Sequence, residues 1–291
     1  MFRLAHFSDI HYTLPPFSLG VRALMSKRVL GISSYYVTGR GRHFAATPTR
    51  IPALLEDADA QNVDHVLCTG DLTSIAAEPE LSGCADAFGD RLRQPARYTV
   101  IPGNHDRYVT SAVKERLFER RFSEVCGGGV FPFEKRVGPV RFVVIDVCRP
   151  TGMSSAGKVG DTQLAALRQL LAKERTAPGE VTILVLHYGL LRVGGVRDSR
   201  SHGIEDDLAL IALVDSEEAH VDFVMHGHIH RHYSVMTKRR RIFCAGSATD
   251  LHLRCGYNVY AIDPGARSVD VERRAWNGSA YVTDQSERFF F

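Results

Sequence analysis

RYTVIPGNHD, residues 97–106, reads as a short buried strand that stops at a turn and delivers Asn104, His105 and Asp106 immediately after Gly103. The same grammar recurs along the chain. LAHFS leads into Asp9 and His11, HVLCT into Gly70 and Asp71, VTILVLH ends on His187, and VDFVMHG runs into His228 and His230. RFVVIDV, residues 141–147, is a further apolar run of strand length. Between these runs, IPALLEDADA, AVKERLFERRF, DTQLAALRQLLAKE and EDDLALIALVD space their apolar residues three and four apart, with Pro52 and Asp161 at predicted helix starts. Strands alternating with helices predict an α/β domain with largely parallel central strands. After residue 230, HYSVMT, RIFCAG, GYNVYAID and SVDVERRAW predict short antiparallel strands that finish the sheets. With no repeat or linker in view, residues 1–291 read as one domain.

Composition excludes several classes. Lys and Arg number 36 against 33 Asp and Glu, a formal +3, which is too small an excess to imply a nucleic-acid partner, so nucleic acid enters only as a class of substrate. No apolar run approaches the roughly 18 residues of a membrane span. Arg3, His6, Ser8, Asp9 and His11 interrupt the N-terminus before a secretory signal can form. Cys68, Cys84, Cys126, Cys148, Cys244 and Cys255 show no CxxC spacing and read as reduced thiols of a cytoplasmic protein.

From Tyr12 to Leu55 there is no acidic residue, whereas Arg22, Lys27, Arg28, Arg40, Arg42 and Arg50 stand among Phe17, Leu19, Leu24, Met25, Leu30, Tyr35 and Tyr36. This reads as a basic insertion at about 12–50 that contains a helix of its own and packs beside the site. The sharper alternative is a cap that selects an anionic or lipid-like substrate, or touches a membrane surface.

Loops beyond the carboxyl ends of strands converge on one crevice in an α/β sheet, so Asp9, His11, Asp71, Asn104, His105, Asp106, His187, His228 and His230 can meet. Carboxylates and imidazoles suit Mn, Fe, Zn or Co, and the absence of cysteine from the set argues against a structural zinc site. The donors exceed what one tetrahedral ion uses, which predicts two divalent metal ions.

Asp9-Ile10-His11, Gly70-Asp71, Gly103-Asn104-His105-Asp106, His187 and Gly227-His228-Ile229-His230 stand in that order. The series resembles the D-x-H, GD, GNHD, H and GHxH blocks of the calcineurin-like metallophosphoesterase family, as in its bacterial phosphodiesterase-like branch. The resemblance implies a four-layer αββα sandwich of two mixed β-sheets flanked by helices. It also implies that Asp9, His11 and His230 hold one metal and Asn104, His187 and His228 the other, with Asp71 bridging. The implied activity is metal-dependent phosphohydrolysis, of a phosphodiester before a monoester, with in-line attack by water activated between ions roughly 3.5 to 4 Å apart. A phosphomonoesterase, including a protein phosphatase, and a non-catalytic scaffold of the same fold are the alternatives.

His105, outside the implied metal set, is the expected proton donor to the leaving oxygen, with Asp106 orienting its ring. Many bacterial phosphodiesterases of the family carry HHP where this chain has His187-Tyr188-Gly189, a departure that speaks against cyclic nucleotides and leaves the metal position intact. Retention of His105 speaks against the branch that cleaves a lipid A precursor. His6, His226, His232 and Asp146 border the blocks and are expected to support or pack. His43, His65, His202, His220 and His252 are expected at the surface or in structural roles, with His202, in the RDSRSHG loop, the one placed to approach a substrate. Lys238 to Arg241 and Gly127 to Gly129 are expected to be turns.

Overall fold

The apolar runs become strands because both of their faces can be buried. The computed structural model describes residues 1–20, 27–37, 39–152 and 154–291, without the side chains of Ser34, Tyr35 and Arg40. In β1 (Phe2–Phe7), Ala5 and Phe7 pack to one side and Phe2 and Leu4 to the other, the two-residue period of a strand. Its sheet is completed by β2 (His65–Cys68), β3 (Tyr98–Val100), β10 (Gly256–Asp263), β11 (Ser268–Trp276) and β12 (Tyr281–Phe290), in the order β12-β11-β10-β1-β2-β3. The second sheet has β4 (Phe133–Val137), β5 (Val140–Val144), β6 (Val181–Val185), β7 (Phe223–His226), β8 (Tyr233–Met236) and β9 (Arg241–Cys244), in the order β4-β5-β6-β7-β9-β8. Both sheets are mixed: β1-β2-β3 and β5-β6-β7-β9 run parallel, and the outer strands are antiparallel.

The helices are α1 (Arg28–Val37), α2 (Arg40–His43), α3 (Thr47–Ala60), α4 (Glu78–Phe88), α5 (Thr110–Lys114), α6 (Glu119–Phe122), α7 (Asp161–Leu171) and α8 (Asp207–Val214). Ile51, Leu54 and Leu55 of α3 and Leu81, Cys84 and Phe88 of α4 cover Ala5, Phe7, Val66 and Val100 on the outside of the first sheet. Leu167 and Leu171 of α7 and Leu210 and Leu213 of α8 cover Val143, Leu184 and Val224 on the outside of the second. Between the sheets, Leu4, Leu67 and Tyr260 meet Phe142, Ile183, Phe223 and Phe243. The result is the four-layer αββα sandwich, whose central layer has no polar alternative to mutual burial.

Several local expectations need correction. The run 112–122 is two short helices, because Arg116 takes a left-handed φ of 54° between them. Pro52 lies inside α3; the first-turn proline is Pro48, where a missing N–H leaves no ladder bond unmade. β9 pairs parallel with β7, so the strands after residue 230 divide between the sheets. Strands β4 and β12 and helix α4 carry too mixed a pattern for the sequence to announce them. Residues 238–240 do form a hairpin turn between β8 and β9, where Asp215 accepts the Lys238 and Arg239 amides.

Within 12–50, residues 21–26 and the side chains of Tyr35 and Arg40 fall outside the described residues, so Arg22, Leu24 and Met25 cannot be placed. Arg28 is buried and donates to the carbonyls of Ile75 and Ala76. Arg50 is buried, donates to the Thr249 carbonyl and lies over the Trp276 ring. All six cysteines are free. No helix among the described residues is long and apolar enough to cross a membrane.

Candidate metal centre

The parallel strands β1, β2, β3, β6 and β7 all end at one edge of the sandwich, and the loops beyond them are tied together by backbone. The Asp9 amide donates to the Gly70 carbonyl at 2.9 Å and the His11 amide to the Asp71 carbonyl at 2.9 Å. These loops carry unusual backbone. Asp9, His11, Asp71, His228 and His230 all have φ between 48° and 68°, five of the nine non-glycine residues with positive φ among the described residues. Left-handed conformations are costly outside glycine and cluster where a side chain must be aimed. Gly103 allows the loop after β3 to lie against the loop after β2: a Cβ there would be 2.1 Å from Asp71 Oδ1 and 2.2 Å from the Asp71 nitrogen.

Each of four imidazoles is held by its outward nitrogen. His11 Nδ1 donates to the Thr73 carbonyl (3.1 Å), His187 Nδ1 to the Thr69 carbonyl (2.7 Å) and His228 Nε2 to the His202 carbonyl (3.0 Å), while His230 Nδ1 faces Asp250 Oδ2 at 3.5 Å. Carbonyl and carboxylate oxygens only accept, so these nitrogens carry the protons and the opposite nitrogens present lone pairs inward. Those lone pairs meet other acceptors. His11 Nε2 is 2.9 Å from His230 Nε2, and Asn104 Oδ1 is 3.0 Å from His187 Nε2 and 2.9 Å from His228 Nδ1. Acceptors facing acceptors at such distances repel unless a cation or an extra proton lies among them. The donors sort into two groups, Asp9-His11-Asp71-His230 and Asp71-His187-His228, each with its ligand atoms within 4.8 Å of one another. Asp71 Oδ2 serves both, at 3.7 Å from His11 Nε2 and 3.4 Å from His187 Nε2. The residues present therefore fit a pair of divalent ions.

The profile of the calcineurin-like phosphoesterases matches residues 2–232. The chain belongs to that family. It is a binuclear metallophosphoesterase that hydrolyses phosphoesters with divalent metal. Among solved structures it is similar to a dimetal phosphatase from Danio rerio, at 11% identity and TM-score 0.64 over 97% of this chain and 98% of that one. It is similar also to a purple acid phosphatase from yellow lupin seeds (14% identity, TM-score 0.60), covering 99% of this chain and 53% of the lupin chain. A third similar structure is described as an anchor in the inner membrane complex of Plasmodium (12% identity, TM-score 0.53; 98% and 88% coverage). No curated protein matches the sequence.

Electrostatics of the phosphoesterase site follow from this crowding. Burial opposes the charge on Asp71, but the imidazoles of His187, His105 and His11 outweigh it and hold the carboxyl well below its usual range. Burial likewise works against a proton on His187, yet the Asp71 charge and hydrogen bond raise it to about 9. A metal ion must displace that proton. Below pH 9 each binding event at His187 is expected to release one proton, so affinity should rise about tenfold per pH unit between pH 7 and 9. Calorimetry in buffers of different ionisation enthalpy reads the proton directly, and a pH-independent affinity would contradict the assignment. His6, His226 and His232 are pushed by burial to about 3, 4 and 4 and remain neutral. His6 faces Thr69 Oγ1 at 3.0 Å and His226 the Gly227 carbonyl at 2.8 Å, both supporting the loops from within.

The structure corrects the role expected of Asp106. Its carboxylate accepts the amides of Leu72, Thr73 and Gly103 and the Thr73 hydroxyl, at 2.9–3.0 Å, and so pins the loop after β2 to the loop after β3. The His105 ring is oriented instead by the Ser74 carbonyl, 2.5 Å from Nδ1, and stacks on Tyr108. Burial, reinforced by the Asp71 charge, raises the Asp106 carboxyl to about 6. Asp146 accepts from Arg107, which also pairs with Glu119, a buried triad behind the same loop.

One contributor escaped the sequence reading, and His202, expected at most to approach a substrate, lies closer to the site than that. Asp250, in the loop after β9, sits behind His230 and carries no motif. His202 reaches the site more closely than a surface histidine would: its ring lies 4.2 Å from that of His228, and Asp198 holds its Nδ1 at 2.7 Å. His105, Asn104 and His202 line a cleft of about 420 Å³ with Lys27, Tyr108 and Arg149.

Proposed function

We propose that Asp9, His11 and His230 hold one divalent transition-metal ion and Asn104, His187 and His228 the other, with Asp71 shared. We further propose that the centre hydrolyses phosphodiesters in preference to monoesters, with His105 as proton donor to the leaving oxygen. The observation that carries this reading is the single Asp71 oxygen within reach of both donor groups. Mn, Fe and Zn all suit the mixed imidazole and carboxylate set. Bound ions would supply a water of low pKa and neutralise the phosphoryl oxygens.

The chain's own residues do the rest. His105 donates its amide to Asp71 Oδ1 at 2.7 Å, which leaves the other carboxylate oxygen for the centre and places the ring at its edge. With Nδ1 donating to the Ser74 carbonyl, Nε2 is the atom at which the ring would pass its proton to the leaving oxygen. The open cleft beside it has room for the second ester substituent of a diester. We read the chain as one domain, 1–291, in which the basic segment at about 12–50 lends Lys27 and Leu30 to the cleft wall, a substrate-facing role in place of a membrane contact. Six free cysteines are in keeping with a cytoplasmic location.

With Mn supplied, bis-p-nitrophenyl phosphate should be turned over faster than p-nitrophenyl phosphate; the reverse order would favour the monoesterase reading. His105→Ala should keep both ions while lowering kcat by about 10²- to 10⁴-fold for alkyl leaving groups and far less for p-nitrophenolate. Equal losses for the two leaving groups would remove His105 from the acid role.

A further inference from the structure

The cleft beside His105 is built for charge, which an aryl or alkyl substituent would not use. Lys27 precedes α1, and its ammonium contacts Thr151 Oγ1 and the Ser154 carbonyl at 3.4 Å each, long for hydrogen bonds, and rides over the Tyr108 ring at 4.6 Å. Arg149 pairs with Glu205, which does not line the cleft, and its Nε is buried with no partner among the described residues. The hydroxyl residues Ser154, Ser155 and Ser201 fill out the wall, and among the described residues no carboxylate lines it. Burial lowers the Lys27 ammonium's pKa. Of the cations between Tyr12 and Leu55, Arg28 and Arg50 are occupied with carbonyls, and Lys27 is the one that lines this cleft among the described residues.

We infer that this cleft is a subsite for a second phosphoryl group, so that the substrate is a phosphoester carrying another phosphate close to the one cleaved. The inference rests on the phosphoesterase reading above, which places the scissile phosphate at the metal cluster next to Asn104 and His105. An apolar substituent fits the cleft but gives Lys27 and the inward edge of Arg149 no charged partner there. A second phosphate offers each of them a charge-assisted hydrogen bond, and a volume near 420 Å³ admits it together with a sugar-sized group.

The test is calorimetric binding of ADP and AMP to the Mn-loaded protein at fixed free Mn, two probes that differ by one phosphoryl group. ADP should bind about tenfold more tightly than AMP, the return expected from one charge-assisted contact. In the Lys27→Gln/Arg149→Gln double variant that ratio should fall below about threefold, and Lys27→Arg in an otherwise unchanged chain should preserve it. A ratio near one in the unmodified protein, or a tenfold ratio that survives the double substitution, would overturn the subsite. Because the readout is binding, it is separable from catalysis: failure to turn over any phosphoester with metal bound would sink the proposed function, whereas an ADP-to-AMP ratio of one beside normal turnover would sink the subsite alone.

Discussion

Asp71→Asn is expected to lower turnover by about three orders of magnitude or more and to reduce bound metal from two ions per chain to at most one. The substitution keeps the shape of the side chain and one oxygen to accept the His105 amide, which is 2.7 Å from Oδ1 in the native site. What it removes is the charge and the second oxygen that lies between His11 and His187. On the proposed assignment both metal positions depend on that oxygen, so both should weaken together, unlike the loss of a ligand private to one ion. The metal-free variant offers a separate readout. His187 is raised to about 9 chiefly because Asp71 outweighs its burial, and without that charge its proton should be lost at markedly lower pH by NMR titration. A variant that retains two ions and near-native kcat would remove Asp71 from the shared position.

Gly103→Ala should be nearly as damaging, although no ligand atom is deleted. The added methyl would sit 2.1 Å from Asp71 Oδ1 and 2.2 Å from the Asp71 backbone nitrogen, and backbone cannot swing aside as a flexible side-chain tip can. The loops after β2 and β3 must separate, which also pulls on the Asp106 carboxylate that accepts the amides of Gly103, Leu72 and Thr73. Overpacking of this kind costs about 1–3 kcal/mol in stability. Displacing Asp71 by a fraction of its bond lengths should lower kcat by about 100-fold even at saturating metal. Gly152→Ala is the control, since a Cβ there meets nothing within 4 Å among the described residues and its melting temperature should be unchanged. Native melting and turnover in Gly103→Ala would show that the two loops are not closely apposed.

The sequence exposed the side chains that face the centre and concealed those that hold them. Asp9, His11, Asp71, Asn104, His187, His228 and His230 each stand at the end of an apolar strand run, and parallel strands deliver their ends to one edge. The outward nitrogens of His11, His187 and His228 are held by the carbonyls of Thr73, Thr69 and His202. A backbone carbonyl is the same group in every residue, so no sequence pattern marks it. The same reason defeats the reading of Asp106: its spacing from His105 suggested a side-chain partner, whereas its acceptor capacity is taken by amides of the neighbouring loop and the Thr73 hydroxyl. Asp250 is invisible for another reason. It lies behind His230 because β9 pairs parallel with β7 and returns the chain to the edge where β7 ends, a pairing that the run of strands after residue 230 does not announce. In the fold, apolar alternation was sufficient for the central strands, and it failed for β4 and β12, whose faces are mostly half-buried or exposed.

The most direct measurement is anomalous scattering from crystals of the Mn-loaded protein. Two peaks per chain are expected, one among Asp9, His11, Asp71 and His230 and one among Asp71, Asn104, His187 and His228, with the Asp71 carboxylate between them. A single peak, or two peaks of which one lies away from Asp71, would contradict the shared binuclear centre.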